Sequence, residues 1–562
     1  MKKSDYSKFL KKAYKPDRLY SFKELVYKTA DKFGSKIAYQ IRKGKDEYRF
    51  ITFAEVKERF LRVCNYLLDQ GMQGEPIAMI GPNSSDWCMS YLAAATVGVA
   101  VPLDKENHVE DVDNFVRTAK CKLIFAPRQT IDKLEEMGLS GATFVDWDQV
   151  REIEDNYDAD SGRVDALPDP AKDEMRVLIF TSGTSGKAKG VCLSQHNICS
   201  DIFFTNHIVN IKTTDKTLSI LPLHHTYECT LGFMTVFSNG ATISFADGLT
   251  RVAQNMAEYQ PSIIVVVPAL LQVLDSRLSK SLATKVPEKY KKYFETLTIA
   301  EAMGKCPFFI QSAIRGKVKK QFGGKLRLII VGGAEVSPHL VEDFNSLGFR
   351  TLQGYGLTEC SPLLVGNNDF YLKADSTGMA IPGVTIKIDE SNEEGIGEIL
   401  AAGDNIMLGY FDDPEANQAV FTEDGFFRTG DLGRIDDQGY VYITGRKKNV
   451  IVTSNGKNIY PEELESRIQQ YDIVQECLVV ASKDKNNEAC VKAKIYPNVA
   501  VITEKLGHEP SYAEQEKMVV DMVAEINGQV APYKRIKITE VLRTELEKTT
   551  TRKIKRFGNN LL

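Results

Sequence analysis

Short apolar runs of strand type alternate with stretches of helical periodicity over most of the chain, the pattern of an α/β protein with layered sheets and helices. Pro76 to Ile80 reads as a strand, followed by a turn, the capping serines Ser84 and Ser85, and a helix through Trp87 to Val97. Ser262 to Val267 and Leu326 to Val331 are β-branched runs of the kind buried on both faces in parallel sheets. Gly332-Gly333 ends the second run. Ser337 and Pro338 then open a helix on which Leu340, Val341, Phe344 and Leu347 recur at helical spacing. Between Gln272 and Lys325 the chain is polar, lysine-rich and helical in character, which predicts a surface insertion rather than core.

Near Gly445 the texture changes. Val450-Ile451-Val452 predicts a strand, Asn455-Gly456 a hairpin turn, and Pro461 to Glu465 a helix whose acids sit in the first turn, where the helix dipole favours them. These elements suit a small α+β unit. At 562 residues the chain exceeds what one core usually serves. The expected division is therefore a large N-terminal domain, 1–447, and a small mobile C-terminal domain, 448–562.

Composition narrows the function classes without choosing one. The chain is 43% hydrophobic and 26% charged, as ordinary globular proteins are. Its 71 basic and 75 acidic side chains leave a net charge of -4, which lacks the basic footprint of a nucleic-acid binder. No run of about 18 apolar residues predicts a membrane span. The basic start has no apolar stretch behind it and is not expected to be a signal peptide. Ten cysteines without a CxxC pair are expected as buried thiols of a reducing, cytoplasmic setting rather than as disulfides or zinc ligands. Peripheral contact with the inner face of a membrane is left open.

Three segments carry chemistry. Thr181-Ser182-Gly183-Thr184-Ser185-Gly186-Lys187-Ala188-Lys189-Gly190-Val191 follows the strand candidate Val177 to Phe180. Its glycines let backbone N–H groups turn inward, while hydroxyls and lysines add donors and charge, a combination suited to a triphosphate. The spacing is not that of a kinase-type P-loop, because Gly183 to Lys187 is too short and Ala188 stands where Ser or Thr should follow. Gln353-Gly354-Tyr355-Gly356-Leu357-Thr358-Glu359 offers an aromatic ring for a base, a hydroxyl for a phosphate and a carboxylate for magnesium. In Asp424 to Gly433, Asp431 sits on a glycine-bounded turn from which a carboxylate can accept from both hydroxyls of a ribose, or close an Asx-turn.

The order of these three, followed by Gly445-Arg446-Lys447-Lys448-Asn449 and Thr550-Thr551-Arg552-Lys553-Ile554-Lys555, resembles the adenylate-forming superfamily. That superfamily comprises acyl-CoA synthetases, luciferases and peptide-synthetase adenylation domains, and the resemblance runs from Phe22 to Arg556. It implies that Thr181, Ser182, Gly183, Thr184, Ser185, Gly186 and Lys189 hold the phosphates of ATP. It further implies that Gly332, Gly333 and Ala334 line the adenine and acyl sites, and that Tyr355 stacks on adenine. Thr358 would contact the α-phosphate, Glu359 with Thr184 would hold Mg2+, and Asp431 and Arg446 would grip the ribose. Lys448 matches the hinge, and Lys553 the lysine that bridges the substrate carboxylate and the α-phosphate. Ala188 replaces the usual proline and Arg552 the usual glycine before the catalytic lysine.

Leu221-Pro222-Leu223-His224-His225-Thr226-Tyr227-Glu228 resembles the family segment beside the acyl pocket, with His225 at its common histidine. Adjacent histidines are expected to point apart on a strand, which leaves no shared metal. The aspartate with which peptide synthetases meet an amino group is absent here. The 272–325 insertion and Gly445 to Val450 resemble the longer ligases acting on long-chain fatty acids. The resemblance thus implies activation of a fatty acid through acyl-AMP, with coenzyme A as acceptor. An acyl carrier protein as acceptor, a ligase that stops at the adenylate, an aryl-acid ligase and an inactive nucleotide or acyl-CoA sensor are the alternatives.

Overall fold

The computed structural model describes residues 10–44, 47–181, 188–452, 457–483, 489–548, 554–556 and 558–561. Two large sheets, of thirteen and seven strands, organise most of the chain. In the seven-stranded sheet, Met175–Thr181, Val99–Leu103, Pro76–Ile80, Leu123–Ala126 and Thr143–Asp146 run parallel. Lys189–Ser194 and Gly409–Tyr410 add an antiparallel edge. In the thirteen-stranded sheet a parallel run includes Lys216–Ser219, Ile263–Val266, Leu328–Val331 and Arg350–Gly356. Beyond it the order turns antiparallel through Leu363–Gly366, Gly378–Ala380, Tyr440–Arg446 and Phe427–Ile435. Parallel strands need crossovers, and the crossover helices cover the sheets; the strands accordingly read as unbroken apolar runs such as Ile263–Val266, buried at every position.

The helix predicted after Pro76–Ile80 spans Ser85–Val97, and the Ser84 side chain accepts from the backbone N–H of Trp87 at 3.1 Å. It is buried nearly all round, with the rings of Trp87 and Tyr91 stacked at 5.3 Å. Ser337 occupies the cap position of the helix Pro338–Ser346 without a side-chain capping bond.

The segment between Gln272 and Lys325 departs from the expected surface insertion. It folds as the helices Pro268–Lys285, Glu288–Thr296, Ile299–Gly304 and Phe308–Gln321. Leu271, Leu274, Leu278, Tyr290, Phe294 and Val318 from these helices pack with Ile264, Val266 and Ile329 in one hydrophobic core. The lysines obscured an apolar face that recurs at helical spacing; they take the solvent side while Leu271, Leu274, Leu278, Phe294 and Ile314 turn to the core, and Phe308 and Phe309 stay exposed.

The C-terminal part forms a smaller α+β unit with its own core. Val474–Lys483 pairs antiparallel with Ala489–Pro497, which pairs parallel with Ile536–Val541. Helices Pro461–Ile468 and Tyr512–Gln529 contribute Leu464, Ile468, Val519 and Ile526 to that core. The predicted strand appears as Ile451–Val452, paired with Asn458–Ile459; the Asn455-Gly456 turn lies outside the described residues. All ten cysteines are buried and none forms a disulfide. No helix among the described residues is long and apolar enough to cross a membrane.

Two packing details are testable. Gly378 has φ +108°, and a Cβ there would lie 2.0 Å from the backbone carbon of Gly366. Backbone cannot yield as a side chain end can, so Gly378→Ala should cost ~3 kcal/mol or more in denaturant unfolding. Glu228 lies fully inside, on the π-helical turn Tyr227–Met234. Burial pushes its carboxyl from the ordinary 4.5 up to about 8, an effect that the hydroxyl of Ser219 only partly offsets. The native state therefore keeps a proton between pH 4.5 and 8 that the unfolded chain releases, and stability falls as pH rises through that window. Glu228→Gln mimics the neutral acid. It should shrink the loss of stability between pH 5 and 8 by a few kcal/mol, at ~1.4 kcal/mol per pKa unit; an unchanged pH profile would count against a buried neutral carboxyl.

Candidate active site

Thr181, Tyr355 and Arg446 stand at or next to the carboxyl ends of their strands, where crevices of open α/β sheets bind ligands, whereas Lys189 opens its strand and Asp431 lies mid-strand. Thr181 closes Met175–Thr181, and its Cα partner on the antiparallel neighbour is Lys189. The Thr181 hydroxyl donates to the Lys189 carbonyl at 3.3 Å. The two residues thus form the neck of the glycine-rich loop; Ser182, Gly183, Thr184, Ser185 and Gly186 lie outside the described residues. Lys189 places its ammonium 4.4 Å from the centre of the Tyr410 ring. The Tyr410 hydroxyl donates to Glu359 Oε1 at 2.8 Å.

Glu359 sits on a single turn, Thr358–Cys360, just past the strand Arg350–Gly356. Its carbonyl accepts from the N–H of Met407 at 2.8 Å, so the turn is tied to the loop that leads into Gly409–Tyr410. Through Tyr410 the structure joins Lys189 to the acidic turn. Tyr410 was not singled out in the sequence, where Gly409-Tyr410 is a common dipeptide without spacing to mark it.

Asp431 lies on Phe427–Ile435, directly across from Arg446 on Tyr440–Arg446. The Arg446 guanidinium Nε stands 2.6 Å from Asp431 Oδ1, and the Tyr355 hydroxyl donates to Oδ2 at 2.7 Å. Asp431 is 4% exposed, and both its oxygens are oriented by protein donors. Three intervening strands separate Tyr355 from Asp431 in the sheet order, so the antiparallel half must curl strongly for them to meet. Burial pushes the Tyr355 phenol well up, and the Asp431 charge reinforces the shift. A carboxylate oriented in this way is a hydrogen-bond acceptor only, the kind of group that meets hydroxyls. Arg446 also feels Tyr355 and Glu359, which makes the two residue groups one electrostatic site.

Gly333, at φ +81°, turns the chain after Leu328–Val331, and Ala334 follows exposed. A Cβ on Gly332 would lie 3.1 Å from the Gly354 carbonyl and 3.3 Å from the Tyr227 hydroxyl, so the glycine segment lies against both. Tyr227 donates to the carbonyls of Val266 and Ile330 at 3.2 and 3.3 Å, bringing its π-helical turn to the same strand ends.

His225 corrects an expectation. The two histidines stand on a turn, not a strand, and their rings approach to 4.0 Å between centroids. A strand would alternate the side chains; a turn that passes into the helix at Thr226 points them to the same side.

Lys448 follows Arg446 on the turn Lys447–Asn449. Partial burial, then the guanidinium groups of Arg446 and Arg556, lower its pKa. Beside it the Asn449 amide donates to Glu462 Oε1 at 2.6 Å, and Lys447 reaches Glu398 at 2.9 Å. Lys553 lies outside the described residues.

Two family models match the chain: AMP-binding enzyme over residues 26–411 and AMP-binding enzyme C-terminal domain over residues 448–557. Among curated relatives, the long-chain-fatty-acid–CoA ligase FadD15 of Mycobacterium bovis is 26% identical over 462 residues, spanning 76% of this chain and 75% of that protein. Long-chain-fatty-acid–CoA ligase 1 of Schizosaccharomyces pombe is 27% identical over 522 residues, 84% of this chain and 76% of that one. ATP-bound MatB from Rhodopseudomonas palustris shares the fold at TM-score 0.75 and 24% identity, over 95% of this chain and 97% of its own. The o-succinylbenzoate CoA synthetase MenE of Bacillus subtilis, in complex with its acyl-adenylate, does so at TM-score 0.73 and 22% identity, over 95% and 96%. With more than half of its length matched by the first of these models, the chain belongs to the AMP-binding enzyme family.

Proposed function

We propose that this protein activates a long-chain fatty acid with ATP, releasing pyrophosphate, and transfers the acyl group from acyl-AMP to coenzyme A. The observation that carries the reading is the continuity of one site. Asp431, Arg446 and Tyr355 stand beside Glu359, Tyr410 and Lys189, and Lys189 pairs with Thr181 across the base of the glycine-rich segment. The relatives that are named long-chain-fatty-acid–CoA ligases support the acid and the acceptor.

In this reading Asp431 accepts from the ribose hydroxyls, with Arg446 and Tyr355 keeping its oxygens in place. Tyr355 meets adenine with its ring, and Thr358 the α-phosphate. Thr181 and Lys189 border the β- and γ-phosphates together with Ser182, Gly183, Thr184, Ser185 and Gly186. The Glu359 carboxylate, oriented by Tyr410, provides the hard oxygen donor that magnesium takes, so the residues fit that ion, with Thr184 as its second ligand. Magnesium, when bound, neutralises phosphate charge. Gly333, Ala334 and His225 line the adenine and acyl sites.

The reaction brings a carboxylate to an already anionic phosphate, so positive charge aimed at the reacting atoms is the main requirement. Lys553 supplies it from the C-terminal domain, 448–562, which turns about Lys448 relative to residues 1–447. After the acyl-adenylate forms, that rotation withdraws Lys553 and admits the thiol, whose attack on a good leaving group depends more on orientation than on a dedicated base.

Pyrophosphate release should be followed across carboxylic acids of graded length, with and without coenzyme A, alongside acyl-CoA formation. Multiple turnovers with long acids that require coenzyme A are expected. A single burst indifferent to coenzyme A would replace it with a carrier-protein acceptor or an adenylate-only ligase. Lys553→Ala should cut adenylation by about a hundredfold or more while leaving ATP affinity within a few-fold, as read by isotope exchange and equilibrium binding. Near-normal exchange in this variant would remove Lys553 from the chemistry.

A further inference from the structure

The turn that carries His224 and His225 is built around Asn83. The Asn83 amide donates to the Leu221 carbonyl at 2.6 Å and to the Ser219 hydroxyl at 3.0 Å, and its oxygen accepts from the N–H of Leu223 at 3.0 Å. So clamped, the histidines bring their Nε2 atoms to 3.0 Å from each other. Asp104 enters from the other large sheet, one residue past the end of Val99–Leu103. Its Oδ2 lies 3.4 Å from His224 Nε2, and its Oδ1 accepts from the N–H of Glu106 at 2.9 Å. Asp104 and His224 are only 7% and 8% exposed.

One donor atom from each of the three residues lies within 4.8 Å of the others. Two imidazole nitrogens at this separation share either a proton or a metal ion. The carboxylate beside His224 favours a cation among them, since it brings negative charge and an oxygen donor within 4.8 Å of both nitrogens. In a tetrahedral site with metal–nitrogen bonds of about 2.0–2.1 Å, neighbouring donor atoms stand about 3.3 Å apart. The observed 3.0 and 3.4 Å straddle that spacing.

We propose that Asp104, His224 and His225 bind a borderline transition-metal ion such as Zn2+, with a fourth position open. Two nitrogens and one carboxylate suit zinc, cobalt or nickel, whereas magnesium prefers an all-oxygen shell. The ligands belong to different sheets, so an ion here pins the His224–His225 turn to the end of Val99–Leu103. Resting on the acid-activating reading above, which places His225 beside the acyl chain, the bound ion acts as an inhibitor of acid activation. It does so at a point distinct from the ATP-bound magnesium.

The full-length protein, freed of metal and kept in magnesium buffer, should be titrated with Co2+ by visible absorption and with Zn2+ by calorimetry. One ion per chain is expected, with a tetrahedral cobalt spectrum. Asp104→Asn and His224→Asn, checked for folding by circular dichroism, should each weaken binding by about tenfold or more. X-ray absorption of the zinc-loaded wild type should show two imidazoles and oxygen neighbours, a readout that needs no variant. Absence of the cobalt spectrum, or equal affinity in the wild type and both variants, would overturn the site and leave a hydrogen-bonded histidine pair. Zn2+ should slow pyrophosphate release in the wild type at concentrations that match its binding. If no carboxylic acid is activated at all, the acid-activating reading fails, while the spectra still decide the metal site.

Discussion

The carboxylate of Asp431 is where the molecule concentrates its constraints. A buried carboxylate is costly unless charge and hydrogen bonds meet it, and here a guanidinium takes one oxygen and a phenol the other. The arginine comes from the paired strand, which fixes the cross-strand register at Asp431 and Arg446. The phenol comes from Arg350–Gly356, the last parallel strand, which obliges the antiparallel half of the sheet to curl back upon it. One carboxyl group thereby ties the edge of the parallel sheet to the point from which the C-terminal unit departs. Arg446 ends its strand, and the turn Lys447–Asn449 begins at the next residue.

Around that group the site is arranged by strand polarity. Both large sheets present carboxyl ends to the same region, so short loops from distant parts of the chain meet there. The Lys189–Tyr410–Glu359 contacts close the gap between them: an ammonium over an aromatic face, a phenol on a carboxylate. Positive and negative groups are held near one another before any phosphate arrives. A site of this kind works by placed charge rather than by a single activated nucleophile, and its residues spread over many elements for that reason.

The histidine turn belongs to the same region but follows other rules. Its donors are imidazole and carboxylate together, and its support is an asparagine that satisfies three polar groups of one turn.

What the sequence alone determined is the part governed by local rules. Buried parallel strands such as Ile263–Val266, the capped helix Ser85–Val97 and the acidic start of Pro461–Ile468 follow from apolar runs and caps. The candidate residues Tyr355, Glu359, Asp431 and Arg446 were legible because their motifs are contiguous. Only the tertiary structure decided how the motifs meet: that Tyr355 orients Asp431, that Tyr410 joins Lys189 to Glu359, and that His224 and His225 face each other beside Asp104. The helices between 268 and 321 show the same limit, since their lysines dominate composition while their leucines complete a core. Local periodicity records which face of an element is apolar. It cannot record which distant chain lies against that face, because such contacts depend on sheet order and curl rather than on neighbours in sequence.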